Sequence, residues 1–225
     1  MTDDESLRRL LLERSVQRGS FVLASGRRSP FYIDCRPATM SAQGMVLIGR
    51  MAWDAIRRVG WRPSAVGGLT MGADPVSYAI AAASFGSDAP VDAFSVRKEA
   101  KDHGTGRVIE GNFKPGDGVV IVEDVITSGN SARRAAEAVE RAGGKVLGIV
   151  AVVDREEGGK DALEAVGRKV LALTTVTALG LSDSVVNGSP PAAVNSCSRP
   201  HCSCVFNTPG AFEIMSNTWL PCGRS

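Results

Sequence analysis

No stretch of this chain reaches the ~18 consecutive apolar residues that a membrane-spanning helix requires. The opening TDDESL is acidic where a secretory leader carries basic charge. Together these absences predict a cytoplasmic protein. A charge excess is missing too: the formal net charge is +2, which gives no support for a nucleic-acid or membrane surface as the main partner. Nor is there a disulfide framework, because the cysteines number 5, an odd count, and only Cys35 lies in the body of the chain. Two familiar nucleotide-binding signatures, G-x-x-x-x-G-K-[ST] and G-x-G-x-x-G, are absent. No internal repeat is visible. What remains is a chain of 225 residues, 44% hydrophobic and 22% charged. That composition is ordinary for a globular protein, and the length suits one domain with a sizeable core.

Strand-like and helix-like segments alternate along it. Thr2 and Glu5 form a capping-box pattern, and LRRLLLERSVQRG continues as an amphipathic helix closed by Gly19. GSFVLASGRRSPFYIDCR predicts a hairpin turning at SGRRSP, and Ser41 opens a second helix that runs to Gly60. AVGGL and VDAFSVR read as strands on either side of an Ala-rich helix, TMGADPVSYAIAAASFG. KEAKDHGTGRVIEGNFKPGDG reads as one long polar loop. KVLGIVAVVDR and VLALTTV are further strands around the short helix GKDALEAVG. Such alternation predicts an α/β fold, with a mostly parallel central sheet flanked by helices. Ligands of such sheets bind beyond the carboxyl ends of the strands, which places loops 70–74, 97–110, 123–131 and 154–159 around a site.

The most informative stretch is VVIVEDVITSGN, residues 119–130. An apolar, β-branched run without alternation is a strand buried on both faces. It ends in two adjacent carboxylates, Glu123 and Asp124. A loop of small polar residues follows, and then ARRAAEAVERAGG, a helix closed by Gly143 and Gly144. Strand, tight loop and helix N-terminus together make an anion site, since free amides and the positive end of the helix dipole both favour a phosphate. The plainer alternative is that Asp124 and Thr127 cap the helix. A second signal is VRKEAKDHGTGRVIEG, where Arg97, Lys98, Lys101, His103 and Arg107 lie close together, with Gly104 and Gly106 as hinges. Loops of this length in compact domains are often lids, and a basic lid suits a polyanion; a solvated charge run is the alternative. Combined, the loops fit a sugar phosphate that also bears a pyrophosphate. The carboxylates can accept hydrogen bonds from ribose hydroxyls and favour a developing oxocarbenium charge, and the lid can hold departing pyrophosphate.

These motifs resemble a known family. VVIVEDVITSGNS is similar to the phosphoribosyl-pyrophosphate signature of the type I phosphoribosyltransferases. RKEAKDHG, SGRRSPFYID and VDRE resemble the lid, the N-terminal hood and a later substrate loop of the orotate-specific branch, the similarity spanning roughly residues 7–177. The resemblance implies the type I fold with a small hood at about 19–40, within a domain of residues 1–183. It implies transfer of a phosphoribosyl group to orotate with Mg²⁺ as cofactor, the ion being held mainly by pyrophosphate oxygens and water. Glu123 and Asp124 would hold the ribose hydroxyls. Val125, Ile126, Thr127, Ser128, Gly129, Asn130 and Ser131 would form the 5-phosphate loop. Arg97, Lys98, Lys101 and His103 would grip the pyrophosphate, with Lys101, His103 and Asp124 as the catalytic groups. Thr127 and Arg155 would bind orotate, Arg155 because its planar fork matches a carboxylate, and Phe31 and Tyr32 would line the base pocket. The resemblance also implies a homodimer whose lid is shared between subunits, Lys98 serving a different subunit from Arg97, Lys101 and His103.

The chain departs from the family pattern at Ala24 and at Thr70-Met71, where some members carry cationic or aromatic ligands to pyrophosphate. Backbone groups of residues 69–72 then become the replacements, with Asp74 contributing through water and Mg²⁺. Two other readings stand beside the orotate enzyme: a relative acting on a purine or uracil, which RKEAKDHG and Arg155 weigh against, and a non-catalytic nucleotide sensor. Such sensors often add a DNA-binding helical domain, and the residues before Gly19 are too few for one. Residues 184–225, rich in Ser, Asn, Pro and Cys, read as an irregular tail. Its Cys197, His201, Cys202, Cys204 and Cys222 raise the question of zinc, but a C-x₄-C-x-C spacing with one His fits no regular zinc pattern.

Overall fold

The computed structural model describes residues 1–23, 26, 28–98 and 108–181. Ala24, Lys101, His103, Arg107 and the segment 184–225 therefore lie outside the described residues. Helix α1 (Asp3–Arg14) begins at a complete capping box: the Thr2 hydroxyl accepts the Glu5 N–H and Glu5 accepts the Thr2 N–H. Its buried residues, Leu7, Leu10 and Leu11, recur at helical spacing. The helix stops at Ser15 rather than Gly19, correcting the expectation from sequence. Gln17, Arg18 and Gly19 continue no apolar stripe, and the backbone there pairs instead as strand β1 (Val16–Val22) with β2 (Arg28–Ile33). The ladder is antiparallel, with Val16 opposite Ile33 and Arg18 opposite Phe31. Along β2, Phe31 and Ile33 turn into the core while Tyr32 faces out, the two-residue alternation of a half-buried strand.

A short helix α2 (Arg36–Thr39), not anticipated from sequence, links this hood to α3 (Ala42–Arg58). The Ser41 hydroxyl caps α3 by accepting the Gly44 N–H at 3.0 Å. The remaining elements are β3 (Ala65–Leu69), α4 (Ala73–Ser84), β4 (Asp92–Val96), β5 (Ile109–Gly111), β6 (Gly118–Ile126), α5 (Asn130–Arg141), β7 (Lys145–Asp154), α6 (Gly159–Ala165) and β8 (Val170–Thr175). They build a six-stranded sheet in the order β5-β4-β3-β6-β7-β8, parallel except for β5. Strand β5 also corrects the expectation of one unbroken loop there. Its three residues carry too little apolar pattern to announce a strand, and the edge of β4 recruits them.

Strand β6 explains why its sequence does not alternate. Val120 and Val122 join the core beneath α1, α3 and α4, while Val119 and Ile121 join a second core with Ala132, Ala135, Ala136 and Val139 of α5. Both faces are covered, so both are apolar. The chain leaves β3 for β4 on one side, and β6 then lies on the other side of β3. The sheet therefore reverses its winding between β3 and β6, and a crevice opens at their carboxyl ends.

Candidate active site

A cleft of about 870 Å³ occupies that crevice, bounded by the loops after β3, β6 and β7 and by the end of the hood. Glu123 and Asp124 form its floor, because β6 continues past Val122 through both carboxylates to Ile126 before turning. Glu123 is only 7% exposed, and its Oε2 is buried without a hydrogen-bond partner. Burial first, and then the neighbouring Asp124 charge, push its carboxyl up to about 9, opposed by the Lys98 cation. Burial also raises Asp124 above the usual carboxylate range. Its Oδ1 accepts the Val125 N–H at 2.9 Å, and its carboxylate lies over Gly72. A Cβ at Gly72 would sit 2.5 Å from Asp124 Oδ1, so this close approach requires glycine.

Helix α5 begins at Gly129, which sits at φ +74° and has no side chain to cap it. The alternative in which Asp124 or Thr127 caps this helix is thereby overturned. The first-turn amides have no side-chain acceptor at the cap, as an incoming phosphate requires. Val125, Thr127, Ser128 and Ser131 line the cleft. Ile126 instead points into the core, Gly129 is buried, and exposed Asn130 lies 3.5 Å from an Arg133 nitrogen. The loop is held from below, since the Gly129 backbone packs against the Gly159 carbonyl at the start of α6.

Arg155 closes one wall. Its N–H donates to the Ile126 carbonyl at 2.9 Å, which ties it to the end of β6. The side chain is 4% exposed, lies over the Phe31 ring at 5.2 Å, and approaches Glu157 Oε1 with Nε at 2.8 Å. Its Nη2 is buried without a hydrogen-bond partner. A buried guanidinium with an unused nitrogen is costly unless a ligand meets it.

The opposite wall carries Tyr32, Asp34, Cys35 and Arg36 from the hood, and Thr70, Met71 and Gly72 from the loop after β3. Asp34 and Arg36 form a two-pronged pair with both contacts at 2.8 Å, which holds the Asp34 carboxyl below its ordinary value. Asp74 is not in the cleft lining: its two oxygens accept the Thr70 hydroxyl at 2.6 Å and the Ser95 hydroxyl at 2.7 Å. It therefore braces the loop. Lys98 reaches the cleft, its carbonyl anchored by Arg134 at 2.8 Å. Arg97 does not line it and pairs instead with Glu110 of β5 at 3.1 Å.

The chain that builds this cleft is similar to known proteins. Residues 41–170 match the model of the phosphoribosyl transferase domain. The orotate phosphoribosyltransferase of Rhodopirellula baltica is 44% identical over 176 residues, 76% of this chain and 91% of that one. The chain belongs to the orotate phosphoribosyltransferase family. The Mycobacterium tuberculosis member, crystallised with Fe(III) dicitrate, superposes with a TM-score of 0.71 at 43% identity, covering 80% of this chain and all of that one. A second crystal structure of that mycobacterial enzyme, in complex with 5-phospho-α-D-ribosyl 1-diphosphate, gives a TM-score of 0.68 at 40% identity over 80% and 100% of the two chains.

Within this phosphoribosyltransferase cleft, sequence reasoning missed Asp34, Cys35, Arg36 and Glu157. The Asp-x-Arg spacing of residues 34–36 signals a local ion pair, but nothing in it says which cavity the pair borders. Glu157 stands two residues after Arg155 in VDREE and is indistinguishable there from its neighbour Glu156.

Proposed function

We propose that this cleft transfers the phosphoribosyl group of 5-phosphoribosyl 1-pyrophosphate to orotate, giving orotidine 5-monophosphate and pyrophosphate in the synthesis of UMP. The observation that carries the reading is the meeting, in one cleft, of an uncapped helix N-terminus, a carboxylate pair and a buried guanidinium with an unused nitrogen. Amides of residues 127–131 hold the 5-phosphate. Glu123, protonated at neutral pH in the ligand-free protein, can donate to as well as accept from a ribose hydroxyl. Asp124 faces the anomeric carbon and stabilises positive charge as the bond to the pyrophosphate oxygen breaks and the bond to the orotate nitrogen forms. Arg155, over Phe31, receives the orotate carboxylate, with Thr127 beside it. Lys98 neutralises the leaving pyrophosphate from the same subunit, and Arg97, Lys101 and His103 do so from the lid of the second subunit.

Among the described residues, no three His, Cys, Asp or Glu side chains converge as a metal cage. A Mg²⁺ would be held mainly by the pyrophosphate oxygens and water. The ion supplies further neutralisation of the leaving group. Family membership and the charged lid support a homodimer with shared sites. Among the described residues no helix is long and apolar enough to cross a membrane. Small-molecule substrates, a cytoplasmic setting, and a domain of residues 1–183 followed by a tail complete the reading.

An absorbance assay with orotate, phosphoribosyl pyrophosphate and Mg²⁺ tests it; turnover of uracil or a purine without loss of orotate refutes the substrate. Mixing Lys101→Ala with Asp124→Asn subunits tests the shared lid. Random exchange makes half the dimers mixed, each with one intact site, so about a quarter of wild-type activity returns only if the lid acts across the interface. No recovery, with exchange shown by mass spectrometry, refutes sharing.

A further inference from the structure

Arg155 and Glu157 flank a residue in an unusual conformation. Glu156 sits at φ +57°, in the left-handed region that a side chain other than Asn or Asp rarely adopts. Two contacts hold it there: its N–H donates to Asp154 Oδ1 at 2.9 Å, and its own Oε2 accepts the Thr177 N–H at 2.7 Å, beyond the end of β8. The Glu156 side chain is thus committed to the sheet end and turns away from Arg155. The reversal of the chain at Glu156 returns Glu157 to the cleft wall. There its Oε1 lies 2.8 Å from Arg155 Nε, an ion pair between two largely buried side chains in which the Nε–H is not aligned on the oxygen as a hydrogen bond.

We propose that Glu157 is a positioning residue for orotate recognition. It holds the Arg155 guanidinium over Phe31, with a carboxylate paired at Nε and Nη2 left for the substrate carboxylate. The proposal rests on the functional reading above and adds the residue that aims its recognition group. Three contacts converge on Arg155: the Ile126 carbonyl accepts its backbone N–H, the Phe31 ring centroid lies 5.2 Å from its guanidinium carbon, and the Glu157 carboxylate at Nε restrains how the fork is turned. Bidentate recognition of a carboxylate depends on that last freedom, because the fork must meet both oxygens in one plane. Without Glu157 the Arg155 side chain regains rotamers and is an uncompensated buried charge until substrate arrives.

The test is a mutant cycle read in steady-state kinetics and melting temperature. Glu157→Ala is expected to raise KM for orotate roughly tenfold, in the range of couplings between residues in contact, and to leave KM for phosphoribosyl pyrophosphate near that of wild type. Glu157→Gln, which keeps the side chain's size but removes the charge that pairs with Nε, is expected to give a smaller rise that is still selective for orotate. In an Arg155→Lys background, Glu157→Ala is expected to add no further change in KM for orotate. Equal rises in both KM values, a fall in KM for orotate, or the same penalty in the Arg155→Lys background would each overturn the positioning role. If Glu157→Ala does not fold, Glu157→Gln takes its place in the cycle: a selective rise in KM for orotate that disappears in the Arg155→Lys background supports the role, and no selective rise overturns it. Wild-type protein that consumes no orotate refutes the functional reading itself, a result distinct from any pattern among the variants.

Discussion

Two groups of carboxylates share one cleft and have opposite characters. Asp34 carries its counter-ion two residues away, and the guanidinium of Arg36 holds its carboxyl in the ionised form. Glu123 and Asp124 lie near the end of a strand buried on both faces; Lys98 opposes the effect of burial at Glu123 and the Val125 N–H opposes it at Asp124, but burial dominates and drives both upward. Asp74 behaves like Asp34, its oxygens satisfied by Thr70 and Ser95. A polar group completed by its own chain serves the structure. One that folding buries and leaves incomplete is held for a ligand, at a cost in stability borne elsewhere.

That contrast breaks most sharply at Asp124. Asp124→Asn is expected to lower kcat by ~10²–10³-fold, the usual effect of removing one group aimed at transition-state charge. Binding of phosphoribosyl pyrophosphate, measured by calorimetry, should change little. Equal losses in kcat and affinity would place Asp124 with the merely structural carboxylates.

Gly72→Ala comes next, since the new Cβ would lie 2.5 Å from Asp124 Oδ1 and displace it without touching its charge. Small misplacements of catalytic groups are costly, and kcat should fall by ~10–10²-fold. Wild-type kcat in this variant would show that the carboxylate position is not critical.

Glu123 provides a pH signature. Its carboxyl titrates near 4.5 in an unfolded chain and near 9 when folded. Between those values the native state holds a proton that the unfolded state has released. Stability is therefore complete below about 4.5 and declines as pH rises towards about 9. Relative to Glu123→Gln, the ligand-free wild type should lose on the order of a few kcal/mol across that window, read as diverging melting temperatures. Parallel curves would mean that Glu123 is solvated. Smallest of all, Asp34→Asn should cost within ~1 kcal/mol by chemical denaturation, because the Asp34–Arg36 pair is part-exposed. A larger loss would erase the distinction between the two groups.

The strand–loop–helix from Val119 to the end of α5 was legible because its signals are local: β-branched residues without alternation, then small residues, then Ala at helical spacing. Lys98 and Arg155 were legible for a related reason, each following directly on a strand end. The end of α1 at Ser15, the recruitment of β5 and the departure of Arg97 to Glu110 were not legible. Each depends on a partner distant in the chain. An edge strand or an ion pair outcompetes the local preference only once the two segments meet.

The order of residues alone determined the parallel α/β architecture, the acidic stretch of β6 and the loop of small polar residues that follows it, since backbone sterics and apolar periodicity act over a few residues. Tertiary structure decided the rest. Folding brings the hood residues Asp34 and Arg36 to the rim of the cleft and lays Phe31 under Arg155. It satisfies Asp74 through Ser95 and leaves Glu123 buried beside Asp124. Desolvation and electrostatic pairing are properties of what surrounds a charge, and no single segment of the chain specifies its own surroundings.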